Sequence, residues 1–227
     1  MTVETAEMGL SSARARLPHG PHRLTRAEVA ESQRRRLYSA MLEAVAERGY
    51  NAVTVADLVA RAQISRRTFY ELFDSKEECF AASFEVIIKI VPRRLTAAIR
   101  SAGQLEWRDL IRASLAAYLD FLAKEPAIAR ALHIEALMAG PSLVDYRKRM
   151  MAIFADRMRD ARDIAVRHGQ LTGQLPDEVY AFLIGGIDDR IRDCLQTHGP
   201  SALPALEPSL TSIASTLLAN GGDLNTP

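Results

Sequence analysis

The chain has 227 residues, 48% apolar and 25% charged, with a formal net charge of +1. That is the make-up of a soluble globular protein, built as one large domain or as a small one joined to a larger one. The balance of charge does not signal nucleic acid, so any affinity for it must come from a local patch. No segment is apolar for long enough to span a membrane and the N-terminus lacks an apolar signal core, which predicts a cytoplasmic protein.

Ala, Leu and Arg are abundant and β-branched runs are few, so helix is favoured throughout. Met1 to about Leu24 shows no periodicity and is punctuated by Ser11, Ser12, Pro18, Gly20 and Pro21. It reads as a disordered arm over residues 1–24. Arg14, Arg16, Arg23 and Arg26 suit it either to a phosphate backbone or minor groove, or to a plain solvated tail. Thr25, with Glu28 in capping-box register, starts the first helix, whose buried stripe is Val29, Leu37, Met41, Ala44 and Val45. Gly49 is placed to end it. Arg34, Arg35 and Arg36 cannot all face a core, and Arg36 is taken as a phosphate contact.

From Thr54 to Phe80 the pattern changes. Thr54 and Asp57 form a second capping box, and Val55, Leu58 and Val59 follow at helical spacing. Gln63-Ile64 breaks the pattern. Ser65 can cap another short helix, which begins Arg66-Arg67-Thr68 and buries Phe69, Leu72 and Phe73. Ser75 and Glu78 then open a third. Two short helices with a tight turn, the second opening on paired arginines, make a helix-turn-helix. Arg66, Arg67, Thr68, Tyr70 and Glu71 are not needed for the core. Arg can fork onto guanine, a Thr methyl can meet thymine, and Tyr and Ser can reach phosphates. The competing reading of that face is ordinary solvation.

The segment DLVARAQISRRTFYELFDSKEECF resembles the DNA-binding signature of the tetracycline-repressor (TetR) family of bacterial transcriptional regulators. The matching features are the Thr-initiated helix, Ala62 before the turn, Ile64-Ser65, Thr68, Phe69-Tyr70, Phe73 and Ser75-Lys76-Glu77. The likeness is dense from about Arg34 to Ala82 and only architectural beyond. It departs at Gln63, where the family usually has Gly, which supplies a positive φ cheaply.

After Ser75 the chain reads as six further helices. The first runs to about Ser101, roughly 39 Å, on a stripe of Phe80, Phe84, Ile87, Ile88 and Val91, with Pro92 expected to bend or interrupt it. The others span about Leu105–Ala123, Pro126–Met138, Ser142–His168, Pro176–Gln196 and Ser209–Ala219, and residues 221–227 should fray. The fold class is all-α: an N-terminal three-helix helix-turn-helix domain (25–74) and a C-terminal helical bundle (75–220), about nine helices in total.

Phe84, Ile88, Leu115, Tyr118, His133, Leu137, Met150 and Phe154 suit either a filled core or an apolar pocket with a few polar handles. The resemblance favours the pocket, because such regulators bind an effector in this region. Gly185-Gly186 in mid-helix costs about 1 kcal/mol per Gly against Ala, which a closely packed helix would offset. The family joins its last two long helices to a second copy. Val179, Leu183, Gly186, Ile187, Ile191, Leu210, Ile213 and Leu217 are the residues expected at that dimer interface. A two-fold dimer also follows from reading a palindrome.

An enzyme is not expected. His133-x-Glu135 looks like half a metal site, but i and i+2 on a helix point to different faces, so a core or pocket histidine is the better reading. Asp188-Asp189 with Arg192 fits intrahelical ion pairing. There is no phosphate-binding Gly-rich loop, nucleophile elbow or metal-spaced cysteine cluster, and no metal or cofactor is called for. Cys79 and Cys194 read as buried reduced thiols, with redox sensing as the alternative. The combined reading is a ligand-responsive repressor that binds a palindromic DNA operator as a homodimer. Base contacts fall to Arg66, Arg67 and Thr68, and phosphate contacts to Arg36, Thr54, Ser65, Tyr70 and Lys76. The effector is an unknown, apolar small molecule. The alternative is a small-molecule sensor working through a protein partner, with little specific DNA binding.

Overall fold

The computed structural model describes residues 25–101, 106–140 and 143–220. The expected N-terminal arm, the C-terminal tail and the starts placed at Leu105 and Ser142 lie outside those residues. The described residues form nine α-helices linked by short turns: α1 Arg26–Arg48, α2 Val55–Ala62, α3 Arg66–Leu72, α4 Lys76–Ser101, α5 Trp107–Lys124, α6 Pro126–His133, α7 Val144–Arg167, α8 Asp177–Thr197 and α9 Glu207–Asn220. One contiguous apolar core runs through all of them except the exposed turns, from Leu37 to Leu218.

The first three helices are set by their caps. Thr25 with Glu28 and Thr54 with Asp57 form reciprocal capping boxes, and the Ser65 hydroxyl accepts the Thr68 N–H at 2.9 Å. Each satisfies backbone donors that a helix start leaves open. At Ser75 the box is displaced: Glu78 N–H donates to the Ser75 hydroxyl, but the Glu78 carboxylate accepts from the Asp74 N–H at 2.6 Å. Gln63 ends α2 in the left-handed region, φ 53°, ψ 48°. The Ile64 N–H closes back on the Val59 carbonyl at 3.1 Å, a Schellman-type stop. The turn is thus the one glycine would make, held here by a residue with a Cβ.

Three expectations need correction. Val29 is exposed, and the buried stripe of α1 begins only at Leu37. Pro92 does not interrupt α4. Phe80, Phe84, Ile87, Val91 and Leu95 are buried on both sides of it. At roughly 1.5–3 kcal/mol per buried side chain that burial outweighs a penalty of about 3 kcal/mol for an interior proline. Finally, the helix after Pro126 stops at His133, and a 3-10 turn, Glu135–Leu137, follows. That break lets the Glu135 side chain leave the helix line and reach α1.

The reach matters for how the two halves meet. Glu135 is buried; its Oε2 accepts the Tyr50 N–H at 2.9 Å, and its Oε1 pairs with Arg130 at 3.0 Å. Gly49, at φ 78°, brings the end of α1 to this carboxylate. A Cβ there would stand 3.5 Å from the Glu135 Oε2. Tyr50 in turn stacks on Phe80 of α4 with ring centroids 5.0 Å apart and donates its hydroxyl to Glu77 at 2.9 Å. At the far end, the fully buried Arg162 donates to the carbonyls of Thr172, Gly173 and Leu218, tying α9 to the α7–α8 turn. Cys79 and Cys194 are buried and unbonded. Burial pushes the Cys79 thiol up to about 12, so it holds its proton and is a poor nucleophile.

Candidate functional site

The outer face of α3 carries the charge expected of it. The Arg67 side chain is 89% exposed and donates through Nε to Glu71 at 2.9 Å. Arg66 is exposed and lies 5.8 Å from the ring centre of the exposed Tyr70. Phe69 and Phe73 anchor the opposite face in the core. Ser65 and Thr68 stand together at the start of α3, their hydroxyls 2.8 Å apart. Thr54 is exposed at the start of α2, where its side chain is engaged in its own cap.

Two other expected contacts are placed differently. The Lys76 ammonium donates to the Tyr50 carbonyl at 3.1 Å and sits 4.4 Å over the Tyr50 ring, so the fold already uses it. Arg36 is half-buried, with its guanidinium reaching the Gln63 carbonyl at 3.5 Å, beside the turn rather than on α3. Its Nε is buried with no hydrogen-bond partner among the described residues. Only Arg66 and Arg67 of the expected cations are therefore exposed on one surface. Surface ion pairs such as Arg67–Glu71 contribute about 1 kcal/mol or less, so an incoming phosphate or base can take that guanidinium at little loss.

The second site is a cavity enclosed by α4, α5, α6, α7 and α8. Six of the eight expected lining residues meet there: Phe84, Leu115, Tyr118, His133, Met150 and Phe154. Ile88 lies on the flank of α4, away from the cavity wall, and Leu137 is 48% exposed past the end of α6. Both are corrections. The early end of α6 carries Leu137 outward, and the phase of α4 presents Phe84 instead of Ile88. The cavity holds about 50 Å³ as it stands, room for a few waters only.

A buried polar chain closes one end. The Tyr118 hydroxyl and His133 Nε2 are 3.0 Å apart, and His133 Nδ1 and Asp188 Oδ1 are 2.8 Å apart. Asp188 Oδ2 takes Arg147 at 2.7 Å and also pairs with Arg192. Burial by itself would raise the Asp188 carboxyl, but the His133 hydrogen bond and the Arg147 guanidinium reverse that and hold it at about 2. Burial, and then the Asp188 charge, push the Tyr118 hydroxyl up. His133 faces Tyr118 and Asp188 while Glu135, in the 3-10 turn past the end of α6, reaches Tyr50, so the two do not share a site. Among the described residues no group of His, Cys, Asp or Glu could hold a metal ion.

Residues 37–83 match the family model for bacterial regulatory proteins of the tetR family. That stretch, from Leu37 in α1 through α2 and α3 into the first turns of α4, is the part of the chain that matches the TetR family. Two curated relatives, the nucleoid occlusion factors SlmA of two Haemophilus influenzae strains, are each 34% identical over 112 residues, 49% of this chain and 49% of theirs. The chain thus spans about half the length of the curated relatives it matches. Among solved structures, a TetR-family transcriptional regulator of Pectobacterium atrosepticum is similar at 25% identity and a TM-score of 0.63, over 90% of this chain and all of that one. The fold is shared with FadR of Bacillus subtilis, solved with stearoyl-CoA, at a TM-score of 0.70 and 18% identity over 82% of this chain and 97% of that one.

The expected dimer residues divide. Val179, Leu183, Ile187, Ile191 and Leu210 are buried within their own chain, so they are core and not interface. Gly186 is exposed, Ile213 is 57% exposed and Leu217 is half-buried. The outward face of α8 instead carries Phe182, 77% exposed, beside Gly185 and Gly186, where an added Cβ would meet nothing within 4 Å among the described residues.

The sequence reading missed Asp188, Arg147 and Arg157 as cavity residues. Asp188 was visible only as an i,i+4 partner of Arg192, a pairing that does form. Its apolar neighbours Ile187 and Ile191 were the available signal that position 188 lies near a buried face.

Proposed function

We propose that this protein is a homodimeric, cytoplasmic DNA-binding regulator of the TetR family that represses transcription until an apolar small molecule enters the cavity. The observation that carries the reading is the outer face of α3: exposed Arg66, Arg67 and Tyr70 on a short helix anchored by Phe69 and Phe73. Residues 25–74 are the DNA-reading part, and 75–220 the effector and dimer part. Arg66, Arg67 and Thr68 meet base edges. Ser65, Thr54 and Tyr70 meet phosphates, while Arg36, already engaged at the Gln63 turn, and Lys76, engaged at the Tyr50 turn, offer phosphates their remaining donors.

The dimer reading rests on α8. Glycine inside a helix costs about 1 kcal/mol against alanine, and among the described residues nothing lies within 4 Å of a Cβ added at Gly185 or Gly186. A second α8 laid across that gap, with Phe182 and Ile213 at its edges, gives both glycines a reason. Two α3 helices related by a two-fold axis would then enter successive major grooves about 34–36 Å apart. Effector binding moves α4, which lines the cavity through Phe84 and abuts Tyr50 through Phe80. A coupling of about 1–3 kcal/mol would change operator affinity roughly 5- to 150-fold.

The test is binding of the purified protein to DNA from upstream of its own gene, with random competitor and a salt series. Specific binding that weakens steeply with salt, with a log–log slope near −0.9 per phosphate contact, is expected. Arg67→Ala should cost about 1–3 kcal/mol and relax preference at one base position; unchanged affinity and preference would remove Arg67 from base reading. A second reading is a sensor that acts through a protein partner. The name of the curated relatives, nucleoid occlusion factor, is not that of a transcriptional regulator. Binding no tighter than to competitor DNA, with selection from a random pool also failing, would favour it.

A further inference from the structure

The cavity is unevenly charged. Arg147 and Arg157 both line it from α7, ten residues apart, which is about 15 Å along the helix axis. Between them the wall from α7 is Met150, Met151 and Phe154, with Met158 next to Arg157. The Arg147 end is electrically balanced. Asp188 takes Arg147 and Arg192, and Arg192 also holds Asp189 at 2.9 Å, so two guanidinium groups face two carboxylates. The polar atoms of Tyr118 and His133 at that end are likewise paired.

Arg157 is different. Its Nη2 donates to the Pro92 carbonyl at 2.6 Å and to the Thr96 hydroxyl at 2.8 Å, both neutral acceptors. Among the described residues it forms no ion pair within 4.0 Å. Burial pushes its pKa down, and the charge of Asp160 offsets this only in part. A half-buried guanidinium facing an apolar wall without a carboxylate is costly.

We propose that the effector is a monoanionic amphiphile: an extended apolar chain ending in a carboxylate, with the carboxylate on Arg157 and the chain running along α7 towards Arg147. The proposal rests on the reading that this cavity is the effector site. A carboxylate matches the guanidinium fork and supplies the missing charge. The chain leaves no polar group unpaired at the far end, because those groups already satisfy one another. Met150, Met151 and Met158 give way as the cavity opens, since methionine adapts to irregular space. The same guanidinium holds the Pro92 carbonyl of α4, so a carboxylate arriving at Arg157 competes for the bond that ties α7 to the helix leading into α3.

The experiment is titration calorimetry of the full-length protein with sodium decanoate, 1-decanol and decylamine, each below its aggregation limit, near neutral pH. Decanoate should bind roughly tenfold or more tightly than decanol, and decylamine weakest of the three. Arg157→Gln should bring decanoate down to the level of decanol and leave decanol unchanged. Arg157→Lys should keep part of the preference, which separates charge pairing from a folding defect. Equal binding of decanoate and decanol, tighter binding of decylamine, or no binding of any of the three would overturn the proposal. Operator binding is measured on the same preparations. Its loss would count against the regulator reading, whereas intact operator binding with no decanoate preference would sink this inference alone.

Discussion

Replacing Glu135 with alanine should weaken the joint between the α3-bearing part and the effector part. Its carboxylate is buried and takes the N–H of Tyr50, 85 residues away, at 2.9 Å. Tyr50 is itself 5% exposed, so its N–H would be left without an acceptor, at a cost of about 1–3 kcal/mol. The Arg130 partner is 44% exposed, and losing that pair adds about 1 kcal/mol at most. Relief of the buried carboxylate's own desolvation works in the opposite direction. The expected net loss is about 2 kcal/mol, read as a lower urea midpoint at unchanged m-value. Glu135→Gln should lose less than half as much, because its amide carbonyl can still accept from Tyr50. The reasoning would be refuted by a loss below about 0.5 kcal/mol in the alanine variant, or by equal losses in the two variants. A ligand-induced change in operator affinity that shrinks in Glu135→Ala, with basal affinity kept, would further place the signal on this bond.

Gln63→Gly should stabilise the protein by roughly 0.5–1 kcal/mol in the same urea assay. Relief of the left-handed backbone, about 1–2 kcal/mol, exceeds the added chain entropy of glycine, about 0.4–1 kcal/mol; a lower midpoint would contradict this. The Asp188 carboxyl sits at about 2 against an ordinary 3.8. Its folded value is depressed, so its contribution is present above about pH 4 and is lost as pH falls towards 2. It amounts to roughly 2 kcal/mol. Asp188→Asn should flatten that segment of the stability–pH curve, and an unchanged slope would show that the carboxylate is not held by its partners. Phe182→Asp should shift the protein from dimer to monomer in sedimentation equilibrium while leaving the helical signal intact, since that side chain is 77% exposed in the single chain. A dimer of unchanged affinity would place the interface elsewhere.

Much of the helix-turn-helix was legible because its determinants are local. A capping box closes within three residues, as Thr54–Asp57 does, and the i,i+4 pair of Asp188 with Arg192 lies on one helix. Position 63 was marked by the resemblance, which puts glycine where this chain has glutamine, but only the structure decided that Gln63 takes the left-handed backbone and does not turn differently. Apolar periodicity alone identified the stripe of α8 that leaves water, but not what covers it. Val179, Leu183, Ile187 and Ile191 form a stripe that either its own chain or a second copy can bury, and the fold turned it inward, leaving Phe182 and the glycine pair outside. Asp188 meets His133 across 55 positions, and Glu135 meets Tyr50 across 85. Where those side chains go, whether Pro92 breaks α4, and which wall of the cavity carries a guanidinium bonded only to neutral acceptors among the described residues are decided by the packing of distant helices. A single sequence records each residue's chemistry and its neighbours within a turn or two, whereas partners that far along the chain exist only once the core has closed.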